Sequence, residues 1–358
     1  MTFNSSNHRW ASAVISTLLL GAVILLSTAR ADEPKPLFQN DDVISIRIEG
    51  PFKQLLRKAK NSTNPFPATL IVEGAAPEQH AIMLSARGNS RRSRGLCTFP
   101  PLRVEFNEKP GDGSLFDGQK RLKLVTHCRG ASSYQQYYLL EYTAYKLLNE
   151  ITPNSLNVRM ADLAYIEAES GKTNIERMGF FIEDTDDAAK RIGMKEIDLP
   201  DIDVEQITPS AAAQYALFQY MIGNLDWSMH NGPEGDDCCH NTKLIGATKD
   251  AQSGFIPVPY DFDYSGLVDT PYAVAPPDMR IDTVRKRRYR GFCQHNDEVG
   301  SQAALFRENR EALNAAIQAV PGLNDRNKKS SIKYLDKFFK DIEDDEKIDR
   351  RLFSVCRD

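Results

Sequence analysis

Two short polar segments in the second half of the chain combine an acidic or amide side chain with a neighbouring apolar run. Asp226 follows the apolar stretch that ends at Gly223-Asn224, and Asn241 stands directly before the strand-like run TKLIGA. A carboxylate at Asp226 could accept a hydrogen bond from a substrate hydroxyl and orient it for attack on a phosphate. A turn aspartate is the alternative, since Asp is common after Gly-Asn. The amide oxygen of Asn241 is a candidate ligand for a divalent cation.

Asn231 competes with Asn241 for this metal-binding role. It lies five residues after Asp226, which is the D-x-x-x-x-N spacing of phosphoryl-transfer catalytic loops. However, Asn231 runs into Gly232-Pro233, a dipeptide that predicts a turn. We favour Asn241 because a predicted strand follows it.

A third polar segment, VPYDFDYSG, carries Asp261 and Asp263. Two carboxylates at i and i+2 project to the same side of an extended strand. They would repel each other on a solvated face, so the pattern favours a cation shared between them. Hard oxygen ligands suit Mg²⁺ or Mn²⁺ that bridges nucleotide phosphates. Calcium without a nucleotide is the alternative.

Lys123 and Glu141 form a further candidate pair. Lys123 lies in a strand-like run, and Glu141 borders the apolar stripe of the helix that follows. An unpaired buried charge is costly, so Glu141 needs a partner, and Lys123 is the natural candidate. A strand lysine held by a helix glutamate is how protein kinases bind the α and β phosphates. An unrelated, exposed pair is the alternative.

The elements that must position these residues fall into two halves. The first half, residues 32–200, is predicted to be a β-rich lobe with one helix, 133–150, and an antiparallel sheet is the simplest account. Its strand-like runs are VISIRI (43–48), ATLIVEG (68–74), HAIMLSA (80–86), LRVEF (102–106), RLKLVTH (121–127), ADLAYIEA (161–168) and MGFFIED (178–184). The second half, residues 201–358, begins with an apolar helix between Pro209 and Gly223 and ends in two further helices, 301–320 and 327–355.

Residues 1–31 are predicted to be a signal peptide. The apolar run ASAVISTLLLGAVILL is followed by Ala29-Arg30-Ala31, a small-x-small cleavage pattern. The mature chain should therefore begin at Asp32, and an uncleaved membrane anchor is the alternative. No other run is apolar enough to cross a membrane, so we expect a soluble periplasmic or secreted protein without a stable membrane span.

Six cysteines form an even set, which favours disulfides in an exported chain. Cys97 and Cys128 flank neighbouring predicted strands and should pair, whereas Cys293 is assigned to Cys238 or Cys239. Zinc at Cys238-Cys239-His240 is disfavoured, because adjacent cysteines lack the C-x-x-C spacing that grips one ion.

The net charge of the chain gives no reason to expect a nucleic-acid partner. It is −4 at pH 7. The one basic run, RKRRYR (285–290), is interpreted as a solvated loop rather than a polyanion site.

Taken together, the motifs resemble those of the spore-coat CotH-type atypical kinases and their exported bacterial relatives. The likeness runs from Arg87 to Leu267, about half of the chain. It is carried by the segments ARGNSRRSRGLCTFPPLRVEF, LKLVTHC, YLLEYTAYKLLNEI, GFFIED, IGNLDWS with HNTKLI, and VPYDFDYSGL. The resemblance implies an α+β, two-lobed protein kinase-like fold that uses ATP with Mg²⁺ or Mn²⁺.

The resemblance also implies a role for each candidate residue. Asp226 becomes the catalytic aspartate, and Lys123 the phosphate-binding lysine with Glu141 as its helix partner. Asn241 and Asp261 become metal ligands, with Asp263 as a third. Arg87 opens the segment ARGNS, where a phosphate-covering loop would lie, and Glu183 falls near the hinge that would contact adenine.

Three departures from the kinase pattern shape the functional expectation. No G-x-G-x-x-G loop precedes Lys123, the segment between Asp226 and Asn241 is long, and Asp263 replaces the glycine of D-F-G. We expect an exported atypical kinase that transfers phosphate from ATP to a protein or envelope acceptor. The alternative is a catalytically degenerate kinase-like module that binds a partner or an envelope polymer. An exported hydrolase is disfavoured, because neither a G-x-S-x-G nor a Cys-His signature is present.

Overall fold

The computed structural model describes residues 1–2, 33–233, 238–279 and 281–358. Almost all of the predicted signal peptide, including its cleavage site at Ala31, lies outside the described residues. Within the described ranges, no helix has the length and apolar character needed to span a membrane.

Seven strands of the first half close into a β-barrel in the order β1-β2-β3-β4-β5-β7-β6. The strands are β1 (Ile44–Gly50), β2 (Phe66–Val72), β3 (Glu78–Ala86), β4 (Leu102–Phe106), β5 (Arg121–Val125), β6 (Val158–Glu167) and β7 (Lys172–Ile182). β1 pairs antiparallel with β2 on one side and parallel with β6 on the other. Each of the seven strands predicted for the first half is present, with ends within three residues of the prediction except at the start of β7, which begins at Lys172 and not at residue 178.

The predicted two-lobed kinase-like fold is wrong, because the strands form a closed barrel rather than an open N-terminal sheet. The barrel closes where Ile44 of β1 pairs with Ala161 of β6. This pairing joins distant parts of the chain, and closure removes the edges that an open sheet leaves unpaired. The alternation of apolar and polar residues within a strand reports which face is buried, but it does not report such a partner.

The barrel interior is filled by alternate residues of each strand. In β4, Leu102, Val104 and Phe106 are buried, whereas the two residues between them are exposed. Burial of side chains of this size contributes roughly 1.5 to 3 kcal/mol each. On β5, Leu122 and Leu124 face the same interior. Successive side chains of a strand point to opposite faces, so Lys123 lies on the outer wall of the barrel.

Helices cover part of this outer wall, and all except the first of them form a second hydrophobic core, whereas the first packs into the core of the barrel. The helices are α1 (Phe52–Lys58), α2 (Gln135–Ile151), α3 (Thr185–Arg191), α4 (Pro209–Ile222), α5 (Asn296–Glu308), α6 (Arg310–Ala319), α7 (Asp325–Asp341) and α8 (Asp345–Arg351). α4 is buried on nearly all sides. It begins at Pro209 and ends at Gly223, whose left-handed backbone (φ 65°) suits glycine. The prediction for this helix is confirmed.

The end of the chain contains four helices where the sequence predicted two. The chain turns at Asn309 between α5 and α6, and at Ile342 between α7 and α8. The sequence also predicted only part of a three-stranded sheet. It has the order β10-β9-β8 and consists of β8 (Lys195–Ile197), β9 (Thr242–Gly246) and β10 (Ile256–Pro259). β9 is the strand predicted to follow Asn241.

Three disulfides are present among the described residues. Cys97–Cys128, predicted from the sequence, is confirmed with an S–S distance of 2.00 Å. The assignment of Cys293 to Cys238 or Cys239 is wrong. Cys238 and Cys239 pair with each other, and Cys293 pairs with Cys356. The backbone explains the last pair, because Phe292 bridges to Arg357 next to both cysteines.

Candidate functional site

Lys123 projects from β5 toward the residue that follows β10. Its Nζ atom lies 4.4 Å from the centroid of the Tyr260 ring, and both side chains are half-buried. Burial, together with the nearby charges of Arg87 and Lys243, lowers the pKa of Lys123 to about 7. A pKa this low means that the protein alone stabilises the charged form of the lysine poorly. A bound anion would stabilise that charged form.

Arg87 is the second cation of this region. It follows β3 and is half-buried, and burial lowers its pKa, partly offset by the charge of Asp261. Within the described ranges, neither Arg87 nor Lys123 has a carboxylate oxygen within 4.0 Å of its charged group. We call these two residues the open cation pair. Each retains N–H groups that could donate hydrogen bonds to an anion.

Arg91, four residues further along, has the opposite environment. Its guanidinium contacts three carboxylates, and we call these four residues the Arg91 cluster. The distances are 3.2 Å to Glu141, 2.5 Å to Asp261 and 3.3 Å to Asp263. The cluster joins the connection after β3, helix α2 and the segment after β10. Sequence reasoning missed Arg91, although the run ARGNSRRSR offered it as one of several basic residues.

The Arg91 cluster corrects the predicted partner of Glu141. Glu141 is 1% exposed, and the inference that it needs a positive partner holds. That partner is Arg91 on the connection after β3, not Lys123 on β5. Lys123 instead contacts the Tyr260 ring. The arrangement inferred from the kinase resemblance therefore has an arginine where the resemblance placed the lysine.

Both Asp261 and Asp263 contact the Arg91 guanidinium, and the divalent cation predicted to be shared between them stays a prediction. They do not lie in an extended strand, because β10 ends at Pro259 and Asp261 has a left-handed backbone (φ 61°). Asp263 is 4% exposed and also accepts a hydrogen bond from Tyr272 Oη at 2.8 Å. Burial raises the pKa of Asp263 well above its usual range and also raises that of Glu141.

Asp261 differs from Asp263 because its side chain is partly open to solvent. It is 31% exposed, and one carboxylate oxygen contacts Arg91. Its backbone N–H donates to Tyr145 Oη at 3.0 Å, which fixes the turn. The second carboxylate oxygen is left for a cation. Asp263, held by both Arg91 and Tyr272, suits a structural role better than a metal-binding one.

Asp226 lies in a compact hydrogen-bonded group with the two residues that precede β9. Its Oδ1 is 2.7 Å from His240 Nε2, and Asn241 Nδ2 donates to its Oδ2 at 3.0 Å and to its backbone oxygen at 2.8 Å. The hydrogen bond to Asp226 raises the pKa of His240. Asn241 has a left-handed backbone (φ 51°), which Asn tolerates better than most residues. With its amide nitrogen engaged, its amide oxygen remains available to a cation.

The structure brings Asn241, rather than Asn231, into contact with Asp226. Asn231 is exposed, and its side-chain oxygen accepts a hydrogen bond from Ser228. Tyr260 N–H donates to the backbone oxygen of Asn241 at 3.1 Å, so Asn241 and Asp261 stand at the adjoining ends of β9 and β10. This pairing of strand ends places the Asp226 group next to the open cation pair.

Glu183, assigned to the adenine hinge, is buried and already partnered. Its carboxylate lies 3.2 Å from Arg191 Nη2 and accepts from the Asn157 backbone N–H at 2.8 Å. Burial raises its pKa despite the arginine. The side chain therefore holds the end of β7 against α3. Contact of this position with adenine stays a prediction. Because the side chain is already engaged, the backbone of Glu183 would have to make that contact.

The donor set fits a magnesium ion that is held jointly with phosphates. Within the described ranges, no three His, Cys, Asp or Glu side chains are grouped to hold a metal by themselves. Asp261 and Asn241 offer one carboxylate and one amide oxygen, both hard ligands. Mg²⁺ is commonly bound by one or two carboxylates together with substrate phosphates and water.

Comparisons with known proteins identify no family for this chain. No family model matches it, and no curated protein sequence matches it. Among solved structures, it is distantly similar to the crystal structure of a Helicobacter pylori proinflammatory kinase, CtkA. The TM-score is 0.36 and the identity 9%, over 72% of this chain and 89% of that one. The resemblance to CotH-type kinases thus depends on the sequence motifs alone.

Proposed function

We propose that this protein is an exported atypical kinase, which binds ATP with Mg²⁺ or Mn²⁺ and transfers the terminal phosphate to a protein or envelope acceptor. The observation that carries the proposal is the open cation pair. Lys123 and Arg87 are half-buried and have no carboxylate partner among the residues that the structure describes, and they lie beside one partly free carboxylate and the Asp226 group. Half-buried cations without partners reduce stability, and phosphate groups would offset that cost.

Each remaining residue has a role in this proposal. Lys123 and Arg87 bind phosphate oxygens, and Asp261 with Asn241 would hold the metal, which neutralises phosphate charge when bound. Asp226 orients the acceptor hydroxyl. The hydroxyl oxygen forms the new bond to the γ-phosphorus, the bond from phosphorus to the bridging oxygen breaks, and ADP leaves. The hydroxyl proton passes to Asp226, whose neighbour His240 lies 2.7 Å away.

Export is supported by the cysteines. All six form disulfides, which persist in oxidising compartments and are rare in the cytosol. A periplasmic or secreted location agrees with the signal-peptide pattern of residues 1–31.

A binding module without catalysis is the second candidate, and the Arg91 cluster favours it. Arg91 already contacts Asp261 and Asp263, the two aspartates assigned to the metal, and so competes with a metal ion for them. In this alternative, the open cation pair binds an anionic group of a partner or an envelope polymer, and no phosphate is transferred.

The decisive experiment is a thermal unfolding titration with ATP in the presence of Mg²⁺ or Mn²⁺. A ligand at a hundred times its dissociation constant stabilises the folded state by about 2.7 kcal/mol, so the midpoint should rise. Lys123→Met should lose the rise, whereas Lys60→Met, which removes an exposed lysine, should retain it. Transfer is then tested with labelled ATP. No rise with either metal contradicts the kinase proposal, and a rise without labelling of any acceptor supports the binding module.

A further inference from the structure

A cavity of about 1100 Å³ lies in the helical part of the protein, separate from the candidate site. It is bounded by the start of the RKRRYR run, the junction of α5 and α6, the last turns of α7, and α8. Ten Lys and Arg side chains line it against three Asp and Glu. The whole chain is acidic at −4, so this concentration of positive charge is local.

Part of the positive charge is fixed by the fold and shapes the walls. Arg287 donates to the Met221 and Tyr334 backbone oxygens, and its guanidinium stacks 3.6 Å from the Tyr334 ring centroid. Arg307 donates to the Ile342 backbone oxygen at 2.7 Å, where α7 ends. These side chains are rigid, because their hydrogen bonds bind them to backbone. The prediction of a solvated loop for 285–290 does not hold for Arg287, which is partly buried.

The acidic side chains of the cavity are already engaged. Asp336 pairs with Arg310 at 2.6 Å, Asp341 accepts from Tyr220 Oη at 3.0 Å, and Glu343 pairs with Lys347. Asp341 also lies 3.6 Å from Arg351. Carboxylates outside the cavity pair with three more of its cations, Arg285, Lys286 and Arg350.

Lys337 and Lys340, one turn apart on α7, keep their charge available. In the described part of the chain, no carboxylate oxygen lies within 4.0 Å of either ammonium group. Both are exposed.

We propose that this cavity binds a compact anion that carries several phosphate groups. Arginine forks match phosphate oxygens in pairs, and lysine ammonium groups add point charges. The cations line a concave cavity whose volume is near the upper limit for small-ligand pockets. A cavity of this kind favours an oligophosphate over a nucleic-acid duplex, which would lie on an open face. The proposal is independent of the candidate kinase site, which uses different residues.

The test is calorimetric titration of the protein with inorganic tripolyphosphate at about 50 mM and about 300 mM NaCl, because salt screens such contacts. Lys337→Gln/Lys340→Gln should weaken binding by about tenfold or more, from two lost charge-assisted contacts. Lys329→Gln/Lys333→Gln removes the same charge from exposed positions of α7 that do not line the cavity, and should bind like wild type. Unfolding midpoints confirm that both variants are folded.

Three further arms decide what the cavity binds. Tripolyphosphate could also bind the open cation pair, so the titrations are repeated in the Lys123→Met background, where the binding that depends on Lys337 and Lys340 should remain. If long-chain polyphosphate binds more tightly than tripolyphosphate, the phosphate groups that the cavity recognises belong to a polymer. If the two bind equally, the ligand is a free oligophosphate. The proposal is overturned if wild type does not bind tripolyphosphate at low salt, if the α7 double variant binds as well as wild type, if Lys123→Met abolishes binding, or if a short DNA duplex binds more tightly.

Discussion

The open cation pair and the Arg91 cluster contact neighbouring residues, Tyr260 beside Lys123 and Asp261 beside Arg91, but balance their charge differently. Arg91 is 7% exposed and contacts three carboxylates. Arg87 and Lys123 are half-buried and contact none within 4.0 Å among the described residues. One group has an excess of negative partners, and the other has an excess of positive charge.

The difference separates a structural role from a binding role. Removing a partner from a buried ion pair is strongly destabilising, so the Arg91 cluster ties its three segments together. Half-buried cations without a carboxylate partner reduce stability, and sites that cost stability are typical of function. The four predictions below test this division, from the largest expected effect to the smallest.

Arg91→Met should lower the free energy of unfolding by roughly 3 to 5 kcal/mol, because it leaves buried carboxylates without a partner. Urea unfolding at neutral pH measures the loss, with Arg94→Met, an exposed arginine, as the control. The folded-state pKa values of Glu141 and Asp263 are raised, so the stability contributed by their protonated forms is lost as pH rises through those values. The variant should accordingly recover stability as pH falls. If Arg91→Met and Arg94→Met unfold alike, the cluster is not structural.

Asp226→Ala should reduce phosphate transfer by about 10² to 10⁴, the usual effect of removing a group that moves a proton, with ATP and metal binding retained. Asp261→Ala should lose metal-dependent ATP binding as well as transfer. Labelling with radioactive ATP and calorimetry on each variant separate the two outcomes. Wild-type behaviour of both variants would show that the site lies elsewhere.

Lys123→Met should stabilise the unliganded protein by roughly 0.5 to 2 kcal/mol at pH 7, the usual gain where function costs stability. The folded-state pKa of about 7 lies below the 10.5 of a solvated lysine. The stability contributed by neutral Lys123 is therefore present above the unfolded value and lost as pH falls through 7. Urea unfolding at pH 7 and pH 10 should show the gain of the variant only at the lower pH. A loss of stability at pH 7 would place Lys123 with the structural cations.

ATP binding near pH 8 should be accompanied by uptake of up to one proton, because phosphate raises the low pKa of Lys123. Calorimetry in two buffers of different ionisation enthalpy measures this proton. Arg87→Gln should weaken binding without removing the uptake, since arginine stays charged. Binding of ATP with no proton uptake would separate Lys123 from the phosphates.

The sequence predicted local features better than connections between distant segments. Alternating residues located the strands of the barrel, and Pro209 with Gly223 located α4. The parallel contact of β1 with β6 escaped prediction, because no pattern within either strand encodes its partner. Closure of the barrel followed from that contact and was missed with it.

The candidate site shows the same limit. Asn241 was preferred to Asn231 as the metal ligand because a strand follows it, and that role stays a prediction. The predicted strand is present, and Asn241 contacts Asp226. The need of Glu141 for a cation was also evident from its place beside an apolar stripe. The identity of that cation, Arg91, was not evident. Several arginines precede β4, and only the path of the connection between β3 and β4 determines which of them reaches Glu141.

The connection between β3 and β4 carries both Arg87 and Arg91, and Cys97 near its end is joined to Cys128. Closing this loop of the chain contributes roughly 3 to 4 kcal/mol by restricting the unfolded ensemble. A cytosolic precursor would lack that bond, since thiols are kept reduced there. Oxidation after export would then be a maturation step that fixes the positions of both Arg91 and Arg87. Before that step, in the cytosol where ATP is plentiful, the site would not be assembled.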